Sequence, residues 1–196
     1  MKLSFRRLLF LGAGFLLPVV LILNFFVYQK NQEEEYVRAI EKKIQGVEVA
    51  WNLDFEVFTT QSIQADSLSF ERIQANTFAH PFFIIDQEKN LLFWSSNDFV
   101  VDFSSLDFEK EVQLLISPSG TFLVKQQRIQ STSRTSYFVQ AFRLVWPGTL
   151  INEYVVMGPN QAVFGNSLFK VFPNPEEGSF SVNSSLGQPL FGIEFQ

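Results

Sequence analysis

Apolar and polar residues follow three successive rhythms along the chain, and each predicts a different element. From Leu8 to Val27 the run LLFLGAGFLLPVVLILNFFV carries no charge, and Asn24 is its one polar side chain. Twenty such residues, at about 1.5 Å each, match the roughly 30 Å hydrocarbon thickness of a bilayer. A cleaved signal peptide has a shorter apolar core, about 7–15 residues, closed by a small-residue site. Here VYQKNQ follows with no A-x-A pattern. The expectation is a cytoplasmic tail at 1–7 and an uncleaved transmembrane helix at 8–28. Pro18 is tolerable inside it, because neighbouring groups satisfy freed backbone in lipid.

A helical period comes next. Tyr28 to about Ile63 contains no proline and a single glycine, Gly46, and Val37, Ile40, Ile44, Val47, Trp51 and Phe58 fall on the a and d positions of one heptad frame. Asp54 breaks that frame, while Glu34 and Arg38 form an i,i+4 pair on the polar side. This predicts a stalk helix at 29–65. Two clean heptads leave two coverings open. The stripe packs on the chain's own sheet, or Val37, Ile40, Ile44 and Val47 form the seam of a homodimer.

Beyond residue 65 the period shortens to that of strands, giving an extracytoplasmic domain at 66–196. PFFIIDQEKNLLFWSSN reads as a hairpin, with strands at 82–85 and 91–95 and Asn90 placed for a left-handed turn conformation. Its apolar residues, Trp94 among them, are expected in the core. Val112–Ile116 and Thr121–Ile129 flank the turn Ser117-Pro118-Ser119-Gly120, and TSYFVQAFRLV at 135–145 is a long strand. Asn152–Phe169 is interrupted by Gly158-Pro159 and stays unassigned beyond a short helix after it. Phe180–Phe195 forms a last hairpin around Ser185-Leu186-Gly187. The fold class is α+β: a transmembrane helix continuing into a stalk, then a mainly antiparallel sheet.

Composition agrees with a packed domain. Apolar residues make up 46% of the chain and 24 are phenylalanine, ample for a core. Absence of cysteine removes disulfides, thiolate catalysis and cysteine-ligated metals. Lys2, Arg6 and Arg7 precede the span, whereas Glu33, Glu34 and Glu35 follow it, so the positive-inside rule places the domain outside the cytoplasm. With three of the 15 basic residues before the span, residues 28–196 hold 12 against 20 acidic, a net −8. Such a surface argues against nucleic acid as a partner.

Candidate chemistry is sparse. No GxxxxGK[ST] phosphate loop occurs, and His80, the single histidine, precedes Pro81 where a phosphoacceptor helix is disfavoured. One histidine without cysteine cannot build an ordinary zinc site, and no GxSxG elbow presents a serine to it. No cofactor is implied. For a small ligand in a cleft, Trp94 offers an aromatic wall, Asn97 donors and acceptors, Arg143 a fork and Tyr154 a hydroxyl. Asn183-Ser184-Ser185 fits a glycosylation acceptor but reads as turn chemistry.

A basic tail, one span, a long helix and a sheet containing FFIIDQEKNLLFWSSN together resemble the N-terminal extracytoplasmic sensor region of bacterial membrane-bound sensor histidine kinases with Per-Arnt-Sim-like or Cache-like ectodomains. In such hairpins an aspartate ends one strand and W-S-x-N ends the next. The resemblance implies a periplasmic input module, single-pass in the inner membrane, that pairs through its stalk and takes a small-molecule or envelope ligand. Those kinases continue into a second span, a phosphoacceptor helix and an ATP-binding domain, none of which this sequence contains, so no enzyme activity is expected of it. A tethered structural or assembly protein of the bacterial envelope, holding a partner through the β-rich domain, is the alternative, and an exported enzyme of unrecognised type is a third.

Overall fold

A computed structural model describes residues 5–62, 78–96, 101–130, 135–146, 158–165 and 169–195, with side chains from Pro18 onward except at 61, 62, 130 and 169. Its first element, α1 (Phe5–Ser62), is one unbroken helix of 58 residues that includes Pro18. The chain divides into two compact units, 1–39 and 40–196. In the first, α1 is apolar and exposed from Val19 to Val27 apart from Asn24, and Arg38 reaches Glu34 at 3.9 Å. Among the described residues no helix is long and apolar enough to cross a membrane. The side chains of residues 8–17, half of the uncharged run, lie outside the described ones.

The second unit contains two antiparallel sheets where the sequence predicts one. The larger joins β1 (Phe82–Asp86), β2 (Leu91–Trp94), β3 (Val112–Ser117), β4 (Gly120–Gln130) and β5 (Thr135–Trp146) in the order β2-β1-β5-β4-β3, and β6 (Gly158–Pro159) pairs with the end of β5. After the four-residue helix α2 (Gln161–Phe164), the smaller sheet joins β7 (Phe169–Phe172), β8 (Phe180–Asn183) and β9 (Pro189–Phe195) in the order β7-β9-β8. The segment Pro175–Gly178 lies on β9 so closely that a Cβ on Gly178 would meet Ile193 N at 2.5 Å, a contact only glycine permits.

Both faces of the larger sheet are covered, which explains why β1 reads FFII rather than alternating. Phe82, Ile84, Phe93 and Phe138 pack with Phe55 and Phe58 of α1 on one face. Phe83, Ile85, Phe122, Val124, Val139 and Ala141 pack on the other against Val101, Phe103 and Leu106 of the irregular segment 101–110. Buried amides hold that segment down. Gln113 exchanges two hydrogen bonds with the main chain of Asp107, and Gln126 Nε2 donates to the carbonyls of Asp107 and Lys110 at 2.7 and 2.6 Å.

Three expectations change. Trp94 is 50% exposed and not a core residue; on β2 only Phe93 is buried, because β2 stands at the edge of the sheet. Lys89 takes the left-handed conformation, φ 65°, in place of Asn90, whose amide instead donates to Asp86 Oδ2 at 2.9 Å. Ile40 and Ile44 have no exposed surface within the single chain, so they cannot meet a second copy. Val37 is also buried and Val47 half-buried.

Candidate functional site

Three carboxylates interrupt the apolar face of α1, and each accepts main-chain hydrogen bonds. Glu41 Oε1 accepts from Asn183 N at 3.0 Å and from Asn183 Nδ2 at 2.7 Å. Glu48, 4% exposed, accepts from Ser185 N at 2.8 Å. Asp54, 7% exposed, accepts from Ala79 N at 3.1 and 3.2 Å and from Gln140 Nε2 at 3.0 Å. A buried carboxylate is costly unless donors replace its water, and these three recruit donors from the β8–β9 turn, from the entry to β1 and from β5. Spaced about two helical turns apart, they fix both the rotation and the axial position of residues 40–62 of α1 within the second unit.

Cations and amides extend this polar face. Lys43 Nζ donates to Val163 O at 3.0 Å, at the end of α2. Buried Lys125, on β4, joins Asn52 Oδ1 at 2.7 Å to Glu111 Oε1 at 2.9 Å. Trp51 Nε1 and Gln140 Oε1 are buried without a hydrogen-bond partner among the described residues. Among the described residues the interface is therefore polar but incompletely satisfied. Among the described residues, no three His, Asp or Glu side chains are grouped to hold a metal ion.

His80 lies beside this face, next to Trp51 and near Asp54. Its ring packs edge-on to Trp51 and Phe142, with centroids 6.1 and 5.4 Å away. Burial lowers its pKa from the ordinary 6.5, and the Asp54 carboxylate opposes that shift. The unfolded chain thus takes up a proton at higher pH than the folded one. Stability from this group is present above pH 6.5 and lost as pH falls through 6.5 towards the lower folded value. We expect denaturation midpoints to fall between about pH 7.5 and 5.5, above the range where ordinary carboxylates titrate, and the slope to shrink in His80→Gln. An unchanged slope in the variant would assign the effect elsewhere.

Of the ligand residues expected from sequence, Trp94 and Arg143 lie apart on the larger sheet. Trp94 lies opposite Phe83, which pairs with Val139, and Arg143 is four residues further along β5. Two strand spacings and four residues separate their backbones by about 16 Å. Arg143 places its guanidinium 5.3 Å from the centres of the Phe122 and Trp146 rings. Asn97 and Tyr154 lie outside the described residues. In the last hairpin, Ser184 Oγ accepts from Leu186 N and Gln188 N at 3.3 and 3.1 Å, the turn chemistry its sequence predicts.

Sequence reasoning missed Glu41, Glu48, Lys125 and Gln140 as a group. The available signal was a carboxylate at two inward positions of a helix, Glu48 and Asp54, since a charge there demands a partner. Fold and site together define an α+β domain led by a long helix that is pinned to it by main-chain donors. No family model, curated protein or solved structure matches the chain.

Proposed function

We propose that the chain is a single-pass protein of a bacterial inner membrane whose extracytoplasmic domain is the input module of a signal-transduction receptor, of Per-Arnt-Sim-like or Cache-like plan. The observation that carries this reading is the collar of α1. Val19 to Tyr28, apart from Asn24, are apolar or aromatic and 41–62% exposed on every side of the helix, a surface that water disfavours and lipid covers. The same helix continues to Ser62, where Trp51 and Phe58 enter the core of the second unit. Any event that shifts residues 40–62 of α1 within that unit acts on the same continuous helix that carries the collar.

Two features support a two-state mechanism. Polar pins set discrete positions of the helix, and Trp51 Nε1 and Gln140 Oε1, without a hydrogen-bond partner among the described residues, reduce the cost of an alternative packing. A stimulus acts by binding the two packings with different affinity. The second reading, an envelope assembly protein, draws on the edge strand β2, where Leu91 and Leu92 are 46% and 42% exposed. A reporter fused after Gln196 tests the topology that both readings need. It should be active only outside the cytoplasm, with the fusion retained in membranes at alkaline pH; activity inside the cytoplasm from intact protein would reverse the orientation and remove the input role.

A further inference from the structure

We propose that the groove along the free edge of β3 binds an extended, basic peptide segment of a partner protein, which adds to the larger sheet as a further strand. The groove encloses about 710 Å³, within the roughly 300–1,000 Å³ of ordinary ligand sites. Val112, Gln113 and Leu114 of β3 form one part of its lining; Pro173 and Pro175, from the β7–β8 connection, and Pro189 of β9 form another. It lies wholly in the second unit and needs no membrane anchor to act.

Main-chain register sets what this edge offers. Glu111 O accepts from Gln126 N at 2.9 Å, and β3 then pairs with β4 without a shift as far as Ser117 opposite Gly120. Hydrogen-bonded pairs alternate in an antiparallel ladder, so residues 111, 113, 115 and 117 turn their N–H and C=O groups to β4. Val112, Leu114 and Ile116 turn theirs outward, where no described strand pairs with them. Sheet edges are usually blunted by shortness, lysine, proline or a bulge. The opposite edge, β2, has four residues and a shifted register, whereas β3 has six, VQLLIS, and none of these devices.

Charge selects the occupant. Asp107, Glu109 and Glu111 line the groove, and Lys110 is the one cation among its lining residues, so three carboxylates stand against one ammonium. Buried Lys125 pairs with Glu111 at 2.9 Å, yet the Glu111 side chain stays 61% exposed. The prolines have no N–H to offer, only carbonyl acceptors and apolar rings. A groove with more acceptors than donors suits a strand whose N–H groups meet the outward carbonyls of β3 and whose Lys or Arg side chains reach the carboxylates.

The full-length chain in uncharged detergent is titrated with a fluorescent peptide of alternating lysine and valine. Binding should saturate and weaken as salt rises. Amide exchange should slow at Val112, Leu114 and Ile116 but not at Gln113 or Leu115, whose N–H groups are already paired with β4. The same peptide N-methylated along its main chain, and its glutamate–valine counterpart, should not bind. Glu109→Lys, at an exposed position, should weaken binding about fivefold, and Glu56→Lys, the same charge change on α1, should leave it unchanged. Equal binding of the N-methylated peptide would overturn strand addition, and equal binding of the glutamate–valine peptide would overturn the selection by charge. Full affinity in Glu109→Lys, exchange slowed at none of the three outward amides, or no saturable binding of the lysine–valine peptide would overturn the site.

Discussion

Phe138→Ala is expected to destabilise the second unit by about 3–5 kcal/mol, the usual cost of removing a buried phenylalanine from a core that cannot collapse around the gap. Phe138 has no exposed surface and lies on β5 between β1 and β4. Its ring centroid is 4.5 Å from that of Phe58 and 4.8 Å from that of Phe82, with Phe55 at 5.6 Å, so one ring ties α1 to two strands. For a unit of this size, such a loss lowers the melting temperature by about 10 °C. Trp94→Ala, at the half-exposed edge, should cost about 1 kcal/mol or less. Denaturant titration of both variants in detergent checks the pair. A Phe138 variant as stable as the parent, or a Trp94 variant equally damaged, would contradict this assignment of the core.

Asp54→Ala should be the most damaging substitution on the polar face, at about 2–4 kcal/mol, because it leaves the buried Gln140 amide and the Ala79 N–H without their acceptor. Asp54→Asn keeps an acceptor and should lose less. A second readout separates charge from packing. The Asp54 carboxylate raises the pKa of His80 against the larger effect of burial, so neutralising it in Asp54→Asn should push that pKa lower still. With one histidine in the chain, its imidazole resonance can be titrated without assignment. A His80 pKa that rises or stays fixed in Asp54→Asn would detach the two groups.

Local pattern carried much of the fold. Alternation and turn residues placed β1 to β5 and the β8–β9 hairpin within a residue or two, since each is bounded by Gly, Pro, Asn or Ser with a definite turn preference. Long-range facts were not legible. Whether the stripe at Ile40 and Ile44 meets its own domain or another copy depends on residues more than a hundred positions away, and β7 became recognisable only through its pairing with β9. Trp94 illustrates the same limit: LLFW reads as core, but a strand's position at the sheet edge is a tertiary property. Asp54 looked like a break in the heptad because its donor on β5 is 86 residues distant. The candidate ligand residues share complementary chemistry, which sequence shows, but the register that separates Trp94 from Arg143 is a long-range property.

The central claim, a helix that leaves lipid near Tyr28 and enters an extracytoplasmic domain, is tested most directly by labelling single cysteines along α1 in intact cells with a membrane-impermeant thiol reagent. The account predicts no labelling at Leu21, Leu23 or Phe26, which are 59–62% exposed when lipid is absent, and ready labelling at Lys42 and Val49. Labelling at Leu21 or Phe26 as fast as at Lys42 would contradict the membrane collar, and labelling of Lys42 only after the cells are broken would contradict the extracytoplasmic domain.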